Sequence, residues 1–159
     1  MHGEAAAICR ATVFFVVPGN PVIMLFGTVA TGGKMTWQPV DTDKLTKKQA
    51  YDLALNALRA LLSDGRPDEV AFMATVSSVL KTLLRSAYWV GFYRMVGDEK
   101  LVVGPYQGTP GCLEIKVGMG VCGKAAHTGE DIIVEDVNEF PGHIACDARS
   151  RSEIVMPVF

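Results

Sequence analysis

The chain has little net charge. Lysine and arginine number 15 against 17 aspartates and glutamates, a net of −2. A nucleic-acid binder would carry a basic excess or patch, and Arg149 with Arg151 is too small a pair to make one. Cysteine is scarce: four residues in 159 are too few for a disulfide-rich scaffold, and a chain of this length builds a core without staples. Repeats and low-complexity tracts are lacking. With 49% apolar and 20% charged residues, wholesale disorder is excluded, and the length fits one domain.

Charge is missing altogether from Ala11 to Gly33, where the run TVFFVVPGNPVIMLF is strongly apolar. Three readings of residues 1–34 stand side by side. About 20 apolar residues can cross a bilayer or serve as a targeting segment. Against a continuous helix stands Pro18-Gly19-Asn20-Pro21, because each proline removes a donor and clashes with the preceding turn. A secretory signal would want a basic start, and the early cation is Arg10, with Glu4 before it. Two short strands around that turn fit the same residues. The third reading is an atypical apolar extension ahead of a domain over 35–159, since the texture changes at Met35.

Beyond Met35 the pattern predicts helices first. Thr42 or Asp43 can cap a helix to about Ser63 with Tyr51, Leu55, Leu58 and Leu62 along one face. Asp64-Gly65-Arg66-Pro67 turns the chain into a second helix from about Asp68 to Arg85, burying Phe72, Val76, Val79, Leu80 and Leu83. Tyr88 to Tyr93 reads as a strand paired antiparallel with Lys100 to Pro105 across the turn Val96-Gly97-Asp98-Glu99. A short strand over Leu113–Val117 follows, then a helix around Cys122 closed by Gly129. A strand Ile132–Val134, a loop and a last strand Glu153–Val158 complete the order. This predicts an α+β fold, an antiparallel sheet flanked by helices.

Three cysteines, Cys112, Cys122 and Cys146, fall at loops or element ends, where redox chemistry is commoner than inert packing. Cys122 stands at a helix start, where the macrodipole favours a thiolate. Zinc is the competing chemistry, since Cys112, Cys122, His143 and Cys146 are suitable ligand types. A structural site normally brings a close cysteine pair, and here the only tight spacing is His143-x-x-Cys146. Trp89, Gly91 and Tyr93 alternate onto one strand face, and the glycine leaves either a gap for a ligand between rings or relief from crowding. Glu153 opens the last strand, out of place unless solvated or functional. His127 and His2 have no informative context.

The run WVGFY, followed in order by GPYQGTPGC, GVCG, EDVNEFPGHIACD and SEIVMPV, closely resembles the GAF-domain enzymes that reduce free methionine-(R)-sulfoxide. The similarity extends over roughly Thr36 to Phe159. The resemblance implies a GAF-like fold and a thiol enzyme without cofactor or metal. It implies that Cys146 matches the nucleophile, Cys112 the usual resolving cysteine and Cys122 a third that resolves instead or relays the disulfide. Trp89 and Tyr93 match aromatic residues caging the substrate methyl and sulfur, and Glu153 an acidic pocket residue. The oxidised enzyme would be recycled by thioredoxin, as part of an oxidative-stress response.

The family continues past the PVF position into a strand bearing two aspartates and a closing helix, so 35–159 is expected to be C-terminally incomplete, with an open sheet edge that an N-terminal hairpin could cover. A GAF-like ligand-binding or redox-sensing module without turnover is the alternative function. Working thiols point to the cytoplasm. No membrane contact is expected for 35–159, and a homodimer is the assembly the family suggests.

Overall fold

The computed structural model describes residues 11–17, 25–31, 34–63 and 68–159. The Pro18–Pro21 turn, the Asp64–Pro67 turn and His2 lie outside the described residues. In chain order the elements are β1 (Ala11–Val17), β2 (Leu25–Thr31), β3 (Lys34–Val40), α1 (Lys47–Leu61), α2 (Glu69–Leu83), β4 (Trp89–Val96), β5 (Lys100–Gln107), β6 (Glu114–Lys116), α3 (Gly120–Thr128), β7 (Ile132–Val134) and β8 (Ser152–Val158). Six strands form one sheet in the order β6-β5-β4-β1-β8-β7, every neighbouring pair antiparallel. The α+β expectation holds.

β1 is a central strand. Val13 is the register partner of Phe92 on one side and Met156 on the other. Both edges of β8 are thereby paired, one with β1 and one with β7. The apolar stretch does not fold back on itself as a hairpin: β2 pairs with β3 instead, Thr28 opposite Trp37, as a separate two-stranded sheet. Absence of charge along β1 suits a strand with a neighbour on each side.

α1 begins later than its sequence suggests. Asp41 caps a single 3-10 turn over Thr42–Lys44, and the helix starts afresh behind Thr46, whose hydroxyl accepts from the Gln49 N–H while Gln49 Oε1 accepts from the Thr46 N–H at 2.8 Å. That reciprocal box fixes the start. The expected face holds only in part, at Leu58, which packs against the core. Ala50, Ala54 and Ala57 are the buried stripe, whereas Tyr51 and Leu55 are 42% and 48% exposed. Small side chains let α1 approach α2 closely, where Ala54 and Ala57 meet Val79 and Leu83.

α2 starts at its Asp68 cap and packs on the face of β4 that carries Val90 and Phe92, with Met73 and Val76 against Phe92. The buried Ser77 hydroxyl lies 2.8 Å from the Met73 carbonyl and 3.1 Å from that of Pro105, which ties α2 to β5. The opposite face, with Trp89 and Tyr93, is covered by α3 and the loops around it. The site lies on this second face. No described helix is long and apolar enough to cross a membrane.

Candidate active site

β4 supplies an aromatic wall. Trp89 and Tyr93 are buried, and their rings stack at 6.0 Å between centroids with 21° between planes. Tyr106, from β5, stacks on Trp89 more closely, at 5.2 Å and 13°. Of the two readings of Gly91, relief from crowding is the one the structure shows. A Cβ there would overlap the Tyr106 Cβ and come within 2.8 Å of the Trp89 ring, so glycine serves the ring stack. Tyr106 is a residue the sequence reading passed over. Its tie to Trp89 depends on strand register, which no local motif records.

The loop after β5 crosses this wall. At Gly108 φ is +134°, and a Cβ would come within 2.7 Å of the Tyr88 carbonyl, so a side chain is excluded on both counts. Gly111 then passes close to the Tyr93 hydroxyl, which donates to the Cys112 carbonyl at 2.7 Å. Burial pushes the Tyr93 phenol far up, keeping the donor protonated. Tyr93 therefore both walls the site and holds the Cys112 backbone in place.

Cys112 and Cys146 are joined in a disulfide, with Cα atoms 5.2 Å apart across a sequence separation of 34. Side-chain bonds tie the same two loops together beside it. Thr109 donates to Asp147 Oδ2 at 2.8 Å, and Arg149 donates to Asp147 at 2.7 Å and contacts the Thr109 hydroxyl at 3.1 Å. The Arg149 guanidinium also lies over the Tyr88 ring, 4.9 Å from its centroid. Arg149 beside Asp147 holds that carboxyl well below the usual carboxylate range.

Cys122 is the free thiol among the described cysteines, and it is buried. The thiolate expected from its helix-start position is not favoured there. Burial pushes the thiol well up, and the Glu153 charge adds to it, outweighing the end of a nine-residue helix. The zinc arrangement is likewise not the one present. Cys112 and Cys146 are bonded to each other, and His143 Nε2 lies 3.0 Å from Glu153 Oε1.

Glu153 is buried at 4% exposure on β8, so the solvated strand end is excluded. Burial pushes its carboxyl up, and His143 pulls it down. One cavity has Trp89, Tyr93, Cys122, Cys146, Asp147 and Glu153 in its wall. Five of the six sequence-derived site residues therefore converge there. The sixth, Cys112, reaches it through the disulfide. Asp147 and His143 were missed as site residues. The His143-x-x-Cys146 spacing drew notice only as half a metal site, and nothing local links His143 to β8.

No family model matches the chain. Among curated proteins, the free methionine-R-sulfoxide reductase of Saccharomyces cerevisiae is 46% identical over 123 residues, covering 74% of this chain and 68% of the yeast protein. Among solved structures, the free methionine-R-sulfoxide reductase from Neisseria meningitidis in complex with its substrate superposes with TM-score 0.67 at 39% identity, covering 73% of this chain and 70% of that one. A GAF domain structure superposes with TM-score 0.66, also at 39% identity, over 73% of this chain and 68% of its own. Fold, sequence and the clustering of the cysteines agree, and the chain belongs to the free methionine-R-sulfoxide reductase family of GAF-domain enzymes.

Proposed function

We propose that this chain reduces free methionine-(R)-sulfoxide to methionine, with Cys146 as nucleophile. The observation that carries this is the bonding of Cys146 to Cys112 at the wall of a cavity that also holds Trp89, Tyr93 and Glu153. The Cys146 sulfur attacks the sulfoxide sulfur while an acid protonates the oxygen, because an unprotonated oxide is a poor leaving group. The methionine sulfur gains two electrons, the Cys146 sulfur loses two, and oxygen ends on Cys146 as a sulfenic acid. Attack by the Cys112 thiol expels that oxygen as water and forms the disulfide. An external dithiol, thioredoxin, returns both thiols by exchange.

Cys122 is the reserve thiol in this scheme, resolving or relaying in place of Cys112. Sulfur–ring contacts suit the aromatic wall to a thioether-like substrate, and an ionised carboxylate in the cavity meets the ammonium of a free amino acid. The compartment that keeps such thiols working is the cytoplasm. Residues 35–159 constitute the GAF-like unit, and 1–34 an extension that lends it β1.

The test is NADPH oxidation coupled through thioredoxin reductase and thioredoxin, with the two diastereomers of free methionine sulfoxide supplied separately. Consumption with the R form and not the S form is expected, with methionine as product. Cys146→Ser should abolish turnover and leave ligand binding largely intact. Reversible disulfide formation with peroxide, without methionine from either diastereomer, would replace the enzyme by a redox-sensing module.

A further inference from the structure

Resting on the proposed sulfoxide reduction, we propose that His143 and Glu153 work as one proton-holding pair, in which Glu153 hands a proton to the sulfoxide oxygen and His143, as a positioning residue, restores it. The geometry begins with exposure. The Glu153 and His143 side chains are 5% and 13% exposed, and Nε2 lies 3.0 Å from Oε1. Glu153 is in the cavity wall together with Cys146, whereas His143 is set back from that wall. A carboxylate buried this deeply is unfavourable unless it is paired or holds a proton. The pairing with His143 provides either state: one proton sits on the carboxyl or on the imidazole, bridging the same two atoms.

The cavity has a second carboxyl, and comparison between the two assigns the roles. Asp147 is locked to Arg149 and Thr109 and stays ionised. Glu153 is pushed the opposite way by burial. Two carboxyls whose surroundings drive them apart divide into an ionised group and a proton donor. Around Glu153 the other titratable neighbours keep their protons. From α3 comes the Cys122 thiol and from β4 the Tyr93 phenol, both held protonated by burial. The register partners of Glu153 are Val16 on β1 and Val134 on β7, neither of which titrates. Among the described residues, His143 is the base in contact with it.

The proton count closes over the step. Glu153 delivers one proton to the oxygen as the Cys146 sulfur attacks, and the oxygen arrives on Cys146 as S–OH. The proton that Cys146 gave up on becoming a thiolate returns to the pair. Methionine departs as a thioether, and the pair is as it was.

A shared proton leaves a signature that a merely structural histidine would not. The wild-type pair can keep its last proton on either partner, so that proton is lost at a higher pH than Glu153 alone would lose it. In His143→Gln the amide can still donate to Oε1 but cannot take the proton. The alkaline limb of kcat/KM for free methionine-(R)-sulfoxide should therefore move to lower pH, by about one unit or more. In the same variant the Glu153 carboxyl, followed by carbon-13 NMR, should titrate at higher pH than in the wild type, because the imidazolium that favours its ionised form is gone. Opposite movements of the two midpoints are expected.

A slower His143→Gln enzyme with an unmoved alkaline limb, or an unmoved carboxyl midpoint, overturns the pair. His143→Ala should show both shifts with a further loss of rate, and the glutamine variant decides if alanine fails to fold. The carboxyl titration needs no turnover. A wild-type chain inactive on the R-sulfoxide would thus refute the proposed function while NMR still judged the pair.

Discussion

Gly91 has room for a hydrogen and nothing larger. Its neighbours are the backbone and Cβ of Tyr106 and the edge of the Trp89 ring, so any side chain must push β5 away or break the ring stack. Gly91→Ala is expected to cost about 1–3 kcal/mol, the usual range for overpacking, read as a lower Tm, and to weaken substrate capture by tilting Trp89. An unchanged Tm would mean that the stack yields freely. At this scale much of the site was legible. The ordered motifs pointed to Cys112, Cys122, Cys146, Trp89, Tyr93 and Glu153, and all but Cys112 line the cavity directly. What stayed hidden was pairing. Tyr106 meets Trp89 through strand register, and His143 meets Glu153 through the path of a loop, neither of which a linear pattern records.

Among the elements, those governed by local rules were the most legible. The β4–β5 hairpin follows from its turn, with Gly97 at φ +65°, and α3 ends at Gly129 in the left-handed conformation. Elements settled by partners were less so. In α1 Tyr51, Leu55, Leu58 and Leu62 marked one face, of which Leu58 packs against the core, but close approach of α2 favoured alanine at 50, 54 and 57. In the apolar stretch a strand was one of three readings, and its neighbours could not be read at all. β1 pairs with residues about eighty and about one hundred and forty positions away. A proline in a strand bonded on both sides removes a ladder donor and leaves a carbonyl unpaired. Val13→Pro should therefore cost at least about 1–3 kcal/mol, measured by denaturant unfolding. A silent Val13→Pro would show that β1 contributes nothing to the sheet in solution.

For the molecule as a whole, the disulfide is the covalent link between two loops over a span of 34 residues. Closing such a loop restricts the unfolded chain, so the oxidised form should be more stable than the reduced form by about 2–4 kcal/mol. Thermal unfolding with and without a phosphine reductant measures this, and Cys112→Ser should erase the difference. The Thr109–Asp147–Arg149 bonds involve no sulfur atom. They are expected to hold the two thiols near each other in the reduced protein and to shorten the search that resolution requires.

The position of β1 also bears on how the molecule is made. Its two sheet partners, β4 and β8, lie far along the chain from it, so the sheet's interior seam cannot be sealed until the ribosome has delivered residues 152–158. Until then the uncharged segment must wait without its second neighbour. Folding is thereby weighted toward distant contacts, which form slowly, and the nascent chain is most vulnerable to aggregation in that interval.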